Sequence, residues 1–359
     1  MTLPGTDALP PLPGAPGGPA VPSADELLAD AVAVTLPMTV RFRGTTARQA
    51  LLLRGPAGWA EFSPFPEYGP VEASRWLAAA VEAGWQGWPA PVRDAVPVNA
   101  TVPAVDAVDV DAVLARYGEG VGAVKVKVAE HGPGGGLVAG SHTADLARVR
   151  RVRELLPQAA VRVDANGGWT HDDALDMLTE LQDVGLEYAE QPVPGIEGLA
   201  TLRAALRARG VPTPIAADEA VRKETDPLAV AAAGAADLIV VKVQPLGGVR
   251  RAAAIVQAAG LPAVVSSALD TSVGIAGGAA LAAHLPSLPH ACGLGTAALF
   301  AHDVVAPAWT PRAGALPAPG ENAPEPDPDL LARARQDREG QRWWAERLRA
   351  AHAVLAAGG

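Results

Sequence analysis

The sequence predicts an α/β protein: a TIM-type (β/α) barrel carrying a smaller α+β capping domain assembled from both ends of the chain. Three observations lead there. From about Pro97 onward, short Val/Ile/Ala-rich runs alternate with longer Ala/Leu/Arg-rich amphipathic segments, the rhythm of parallel strands and crossover helices. Eight such runs with seven helical connections favour a closed barrel over an open sheet. The flanking segments follow another pattern, with antiparallel strands before the rhythm and a long helix after it.

Residues 1–23, rich in Pro and Gly, read as a disordered leader. Residues 24–95 supply the N-terminal part of the cap. There "AVAVTLPMTVRFRGTTARQALLLRGPAGWAEFSPF" reads as antiparallel strands joined by turns, and "VEASRWLAAAVEAGW" as a helix. The barrel occupies residues 96–300. Its runs are "VPVNATV", "VGAVKVKV", "AAVRVDAN", "GLEYAEQP", "TPIAADEA", "ADLIVVKV", "LPAVVSSAL" and "PHACGLG". Residues 301–359 return to complete the cap and end in the helix "RQDREGQRWWAERLRAAHAVL", where Trp343 and Trp344 read as packing residues. The glycine-rich "HGPGGGLVAGSH" lies near the barrel mouth as a lid segment; it lacks the strand–turn–helix context of a phosphate loop.

Composition narrows the function classes. Of 359 residues 49% are hydrophobic and 19% charged, which suits a globular chain with a substantial core. The 39 acidic and 29 basic residues give a net charge of −10, and no basic cluster marks a nucleic-acid partner. Cys292 is the single cysteine, which excludes an intrachain disulfide and any multi-cysteine metal site and fits a reducing compartment. No export signal or membrane-spanning run is expected, so the location is read as cytoplasmic, with no membrane partner. The "NAT" sequon at Asn99 is therefore read as accidental.

Chemistry concentrates at the ends of the strands. "AVKVKVAE", residues 123–130, places Lys125 and Lys127 on one face of a buried strand, where an unpartnered ammonium would cost several kcal/mol. Asp164, Glu190, Asp218, Lys242 and Ser266, followed by Ser267, then recur at steps of 26, 28, 24 and 24 residues, one strand-plus-helix unit each. They fall at the same level of the barrel, the rim where enzymes of this architecture place their sites. Asp164, Glu190 and Asp218 are neighbours on strands three to five, while Lys127 and Lys242 face each other across the barrel. Three adjacent carboxylates repel unless a cation joins them, and an all-oxygen donor set favours Mg²⁺ over zinc. Such a centre suits proton removal α to a carboxylate: the metal stabilises the enediolate where its charge develops, and a desolvated lysine beside cations serves as base.

In this order and spacing, "KVK", "DAN", "EQP", "ADE" and "VKVQPLGG" resemble the muconate-lactonizing subgroup of the enolase superfamily. The resemblance covers nearly the whole chain after the leader. The compact length and "RGPAGWAEFSPFPEY" are most similar to actinobacterial o-succinylbenzoate synthases. The resemblance implies the modified barrel of that superfamily and a Mg²⁺-dependent hydro-lyase of menaquinone biosynthesis. The implied reaction is syn dehydration of 2-succinyl-6-hydroxy-2,4-cyclohexadiene-1-carboxylate to 2-succinylbenzoate. It further implies that Asp164, Glu190 and Asp218 bind the metal, that Lys127 is the base and then the acid, and that Lys242 stabilises charge on the opposite face. Lys125 would help depress the pKa of the base. Arg162 would orient Lys127 or the substrate, and Asn166 would support the metal end. Ser266, Ser267, Ser272 and Gly274 would receive the succinyl tail, with "RFRGTTAR" and "FSPFPEY" closing over the mouth. Glu219 reads as a supporting residue, and His131, His142 and His171 as surface histidines. The partner expected is a small carboxylate substrate, and a monomer is favoured. N-succinylamino acid racemase is the alternative activity, and a non-catalytic metal-binding barrel the reading from another class.

Overall fold

The structure, a computed structural model, describes residues 9–42, 45–132, 136–221, 226–320 and 323–358, with backbone alone at 40–42. Strands β1 (Val32–Phe42), β2 (Thr45–Gly55) and β3 (Gly58–Phe62) form the antiparallel sheet of the cap in that order. Alternation along them gives the sheet two apolar faces. Leu51, Leu53 and Phe62 join one buried cluster with α2 (Pro70–Val81), which follows α1 (Ala24–Leu28); Val34, Leu36 and Leu52 join another with Phe300 and Val304.

Next come β4 (Ala95–Pro97) and seven parallel strands: β5 (Ala100–Val102), β6 (Ala123–Lys127), β7 (Ala160–Asp164), β8 (Tyr188–Glu190), β9 (Ile215–Ala217), β10 (Leu238–Val241) and β11 (Ala263–Val265). The intervening helices are α3 (Val110–Leu114), α4 (Ser141–Leu155), α5 (His171–Glu180), α6 (Ile196–Arg209), α7 (Asp226–Ala232) and α8 (Val249–Ala259), with α9 (Ser272–His284) after β11. Period two explains the division of side chains. In β6 and β7, Val124, Val126, Val161 and Val163 pack outward against helices, whereas Lys125, Lys127, Arg162 and Asp164 occupy the alternate positions. Tyr188, Ala216, Leu238, Val240 and Val264 form a separate small cluster.

The eighth run is not a regular strand. It closes the ring through two parallel bridges, Cys292 to Val98 and Gly293 to Ser266. Asn99 N–H donates to Cys292 O at 2.9 Å and Ser267 N–H to Gly293 O at 3.1 Å. Pro289 and two glycines shorten this segment. The first run also divides: β4 leaves to pair with β12 (Ala315–Pro317), and β5 alone enters the parallel sheet.

After β12, helices α10 (Pro328–Ala334) and α11 (Arg338–Ala356) return to the cap. Trp344, Leu348 and Leu355 of α11 share a core with Phe62, Trp76 and Leu77, and Trp344 meets Phe62 edge-on at 6.0 Å. Residues 9–23, expected to be disordered, are packed instead. Leu12 is buried in that same core, and Arg251 donates to Pro10 O. Compositional bias missed this because one apolar anchor and a few backbone partners suffice for a proline-stiffened segment, which loses little entropy on ordering. The helix of the cap thus holds both ends of the chain. Trp344→Ala is expected to lower unfolding free energy by about 3–5 kcal/mol in urea titration, a range set by loss of a buried aromatic; a change below about 1 kcal/mol would contradict the role given to this core.

Candidate active site

Parallel register brings the charged residues to one level. Lys127 pairs with Asp164 across β6 and β7, and Asp164 with Glu190 across β7 and β8. Asp218 and Lys242 follow the ends of β9 and β10 by one residue. All six charged groups are buried, Lys127 being the most exposed at 9%. Lys125 Nζ lies 2.8 Å from Glu190 Oε1 and 2.9 Å from Asp164 Oδ2. Lys127 binds Asp164 Oδ2 and donates to Asn166 Oδ1 at 2.7 Å, while Lys242 pairs with Asp218. Three ammoniums thus meet three carboxylates, which accounts for lysines in an otherwise apolar run.

The arrangement biases each group. Burial disfavours the Lys125 ammonium, but Asp164 and Glu190 outweigh it and hold its pKa above the ordinary lysine value. Burial likewise opposes charge on Asp164, yet Lys125 and Lys127 hold it well below the usual carboxylate range. Glu190 is raised to about 8 by burial and by the Asp164 charge. Its Oε2 is buried with no hydrogen-bond partner among the described residues. Among those residues, no three acid, histidine or cysteine side chains converge as a ready cation site; each rim carboxylate meets a lysine instead.

Two backbone turns support this rim. Asn166, at φ +48°, accepts from Lys127 and donates to Glu219 Oε1 at 3.1 Å. Gln191, at φ +38°, accepts from the Asp218 and Ala220 N–H groups at 3.0 and 3.1 Å, joining "EQP" to "ADE". Sequence reading assigned nothing to Gln191, although its place beside Glu190 was a signal. Thr101, Ser266, Ser267, Leu269, Gly293 and Thr296 line the barrel mouth with the lysines. Above it, a cleft of about 730 Å³ is bounded by Thr45, Arg48, Phe65, Tyr68, Asn166 and Glu219, among others. Both expected cap segments therefore reach the cleft, although Arg43 and Gly44 of "RFRGTTAR" lie outside the described residues. The same holds for residues 133–135 of the glycine-rich segment.

Comparison with known proteins identifies the fold and the family. The family models "Enolase C-terminal domain-like" and "Enolase N-terminal domain-like" match residues 109–323 and 33–84. The muconate lactonizing enzyme of Pseudomonas putida superimposes with a TM-score of 0.67 at 22% identity, covering 86% of this chain and 98% of that one. For 2-chloromuconate cycloisomerase of Rhodococcus opacus the score is 0.70 at 26% identity, with the same coverages. The o-succinylbenzoate synthase of Mycolicibacterium smegmatis is 50% identical over 93% of this chain and 99% of its own. That of Thermobifida fusca is 51% identical over 79% and 86%. The chain belongs to the o-succinylbenzoate synthase family of the enolase superfamily.

Within this o-succinylbenzoate synthase fold, several expected substrate contacts have other occupations. Ser272 is fully buried; its N–H and hydroxyl donate to Asp303 Oδ2 at 3.0 and 2.7 Å, and its oxygen accepts from Trp309 N–H. Gly274 N–H donates to Glu61 Oε2 at 3.1 Å. Neither is among the residues that line the mouth or the cleft; in this structure their polar groups fasten the rim to its surroundings. Arg162 is fully buried over the Tyr188 ring and donates to Glu187, Asn99, Tyr188 and Ala291 O. Its guanidinium belongs to the barrel interior rather than to Lys127 or the cleft. His142 and His171 are partly exposed and pair with Glu180 and Asp172.

The cap grips the barrel through two glutamates. Glu61 of β3 accepts from Thr271 N–H, Thr271 Oγ1 and Gly274 N–H at the start of α9, while Glu82 accepts from Val249 and Arg250 N–H at the start of α8. Helix N-termini carry unpaired N–H groups and a partial positive charge, so each carboxylate completes a helix of the other domain. Glycine makes the approach possible: a Cβ on Gly248 would stand 2.2 Å from Glu82 Oε2, and one on Gly274 2.6 Å from Glu61 Oε2. Burial and the neighbouring Asp270 charge raise Glu61 to about 7, against the pull of Arg48. Because its pKa is raised on folding, the folded state binds this proton more tightly than the unfolded chain. Stability therefore falls as pH climbs from about 4.5 through about 7. Glu61→Gln is expected to flatten that slope in denaturation midpoints measured from pH 4.5 to 8. Parallel wild-type and variant curves would show that this carboxylate does not titrate there.

Proposed function

We propose that this chain removes water from 2-succinyl-6-hydroxy-2,4-cyclohexadiene-1-carboxylate to give 2-succinylbenzoate, with Lys127 as base and Asp164, Glu190 and Asp218 as ligands of Mg²⁺. The observation that carries the reading is the convergence of Lys127 and Lys242, from β6 and from the end of β10, on three carboxylates held at the ends of the strands between them. Half-identity to o-succinylbenzoate synthases over nearly the whole chain supports it. The donor set fits a hard divalent cation: every candidate atom is a carboxylate oxygen, all three groups are buried, and Glu190 Oε2 has no partner among the described residues. Bound there, Mg²⁺ supplies positive charge for the substrate carboxylate as negative charge develops on it.

The protein groups then divide the work. Lys127 takes the proton α to the carboxylate and returns a proton to the departing hydroxyl on the same face, so the balance is loss of one water. Asn166, bonded to Lys127 Nζ, orients the amine. Lys125, kept charged by its carboxylates, favours the neutral form of Lys127 beside it. Lys242 remains an ammonium on the other face and stabilises the enediolate electrostatically. Ser266 and Ser267 meet the substrate at the mouth, and the 45–49 and 64–68 segments shield the cleft from water. Placement of lysines on both sides also favours a second activity, racemisation of N-succinylamino acids, in which both amines exchange protons. No described helix is long and apolar enough to cross a membrane, and a cytoplasmic monomer completes the reading.

The test is a paired assay with the cyclohexadiene acid and N-succinylphenylglycine, each with Mg²⁺ and with a chelator. Dehydration is expected only with Mg²⁺, and Lys127→Ala should lower kcat by about 10²–10⁴-fold. Lys242→Arg should spare part of the dehydration and abolish racemisation. Metal-independent turnover, or full activity in Lys127→Ala, would remove the mechanism; equal loss of both activities in Lys242→Arg would remove the division of roles.

A further inference from the structure

Lys127 is the last residue of β6, and the chain next enters the long segment that leads to α4. The other flanking amine leaves its strand differently. After Lys242 the backbone closes tightly, with Gly247 N–H donating to Gln244 O and Gly248 N–H to Val243 O. At Lys127 the fastening comes from side chains on α4, outside the barrel wall. Arg148 Nη1 donates to Lys127 O at 2.8 Å and to Asp145 Oδ1 at 2.7 Å, and Arg148 Nε donates to Val105 O. Asp145 Oδ2 accepts from Ala129 N–H at 2.8 Å. Asp145 and Arg148 are 1% and 4% exposed.

One buried ion pair thus holds both the carbonyl of Lys127 and the N–H two residues beyond it. Ala129 sits at φ +58°, a left-handed conformation that a non-glycine residue adopts at a cost of about 1–3 kcal/mol. Packing alone does not explain the pair. Leu146, Val149 and Val152 already bury the inner face of α4, and a buried ion pair stabilises no better than apolar residues of similar size. What it adds is direction: it fixes the strand end that carries the amine, at the Lys127 carbonyl and again at the Ala129 N–H.

We propose that Asp145 and Arg148 are positioning residues that hold the backbone of Lys127 in its reactive placement. The inference rests on the reading of Lys127 as base. The test compares wild type, Lys127→Ala, Arg148→Met, Arg148→Lys and the double variant Asp145→Asn/Arg148→Met. The double variant removes both charges and so avoids leaving a lone buried carboxylate. Readouts are kcat and KM per folded protein, thermal midpoint, and affinity for 2-succinylbenzoate by calorimetry. Arg148→Met and the double variant are expected to lose about 10- to 100-fold in kcat, as a misplaced reacting group does, with KM and product affinity within about 3-fold of wild type. Arg148→Lys, which retains a donor for the Lys127 carbonyl, should recover part of the loss. Wild-type kcat in a folded double variant overturns the proposal, as does a loss shared equally by KM and product affinity. Wild type without turnover, or Lys127→Ala with full activity, overturns the underlying function and the positioning role together, a pattern distinct from failure of the clamp alone.

Discussion

Two carboxylates of the cap complete two helices of the barrel, and the geometry of the cleft follows from that contact. Helices of a (β/α) barrel begin at the rim, where the strands end, so their unpaired N–H groups face the side that carries the chemistry. Glu61 and Glu82 occupy the starts of α9 and α8. Arg48 adds a bond to Leu269 O on the same turn, and its guanidinium lies 4.4 Å from the Phe65 ring centroid. The β2–β3 hairpin is therefore bolted to the rim. From the other side, Arg347 of α11 donates to Phe65 and Tyr68 carbonyls, so the C-terminal helix sets the height of the 64–68 segment over the cleft.

Beneath the cap, charge balance replaces hydrophobic packing as the organising rule. The outward faces of β6 and β7 are valine, and the inward faces change from Tyr188 and Ala216 to lysines and carboxylates within one or two residues. Such a sharp boundary is tolerable because every buried ammonium finds a carboxylate. Electrostatic tension concentrates on Glu190, which is pushed up by its neighbours and has one oxygen without a hydrogen-bond partner among the described residues. A group in that condition gains most from an added cation.

The rim was legible in the sequence because two periods coincide there. A repeat of about 25 residues between strands puts Asp164, Glu190, Asp218 and Lys242 at one height, and period two puts Lys125 and Lys127 on one face of their strand, without reference to any contact. The partners of Ser272 and Gly274 were not legible for the complementary reason: a backbone N–H at a helix start is visible in sequence, but the groups that claim it come from elsewhere in the chain, Asp303 for Ser272 and Glu61, 213 residues away, for Gly274. Arg162 shares its strand face with Asp164, yet which way a long side chain leans is decided by Glu187 and Asn99, on other elements. Asp145 and Arg148 were hidden in "ADLARVRRVREL", where six charged residues look alike until the wall of the barrel distinguishes them.

The glycines at 248 and 274 bear on how such enzymes can diverge. Each leaves room for an acidic side chain rooted in the other domain, so a lid and the scaffold beneath it form a matched lock rather than interchangeable modules. A chimera that grafts a foreign lid onto this scaffold inherits the notches but not the teeth. Transplanting specificity would then call for exchanging the 64–68 loop, leaving in place the β2–β3 hairpin that carries Arg48 and Glu61.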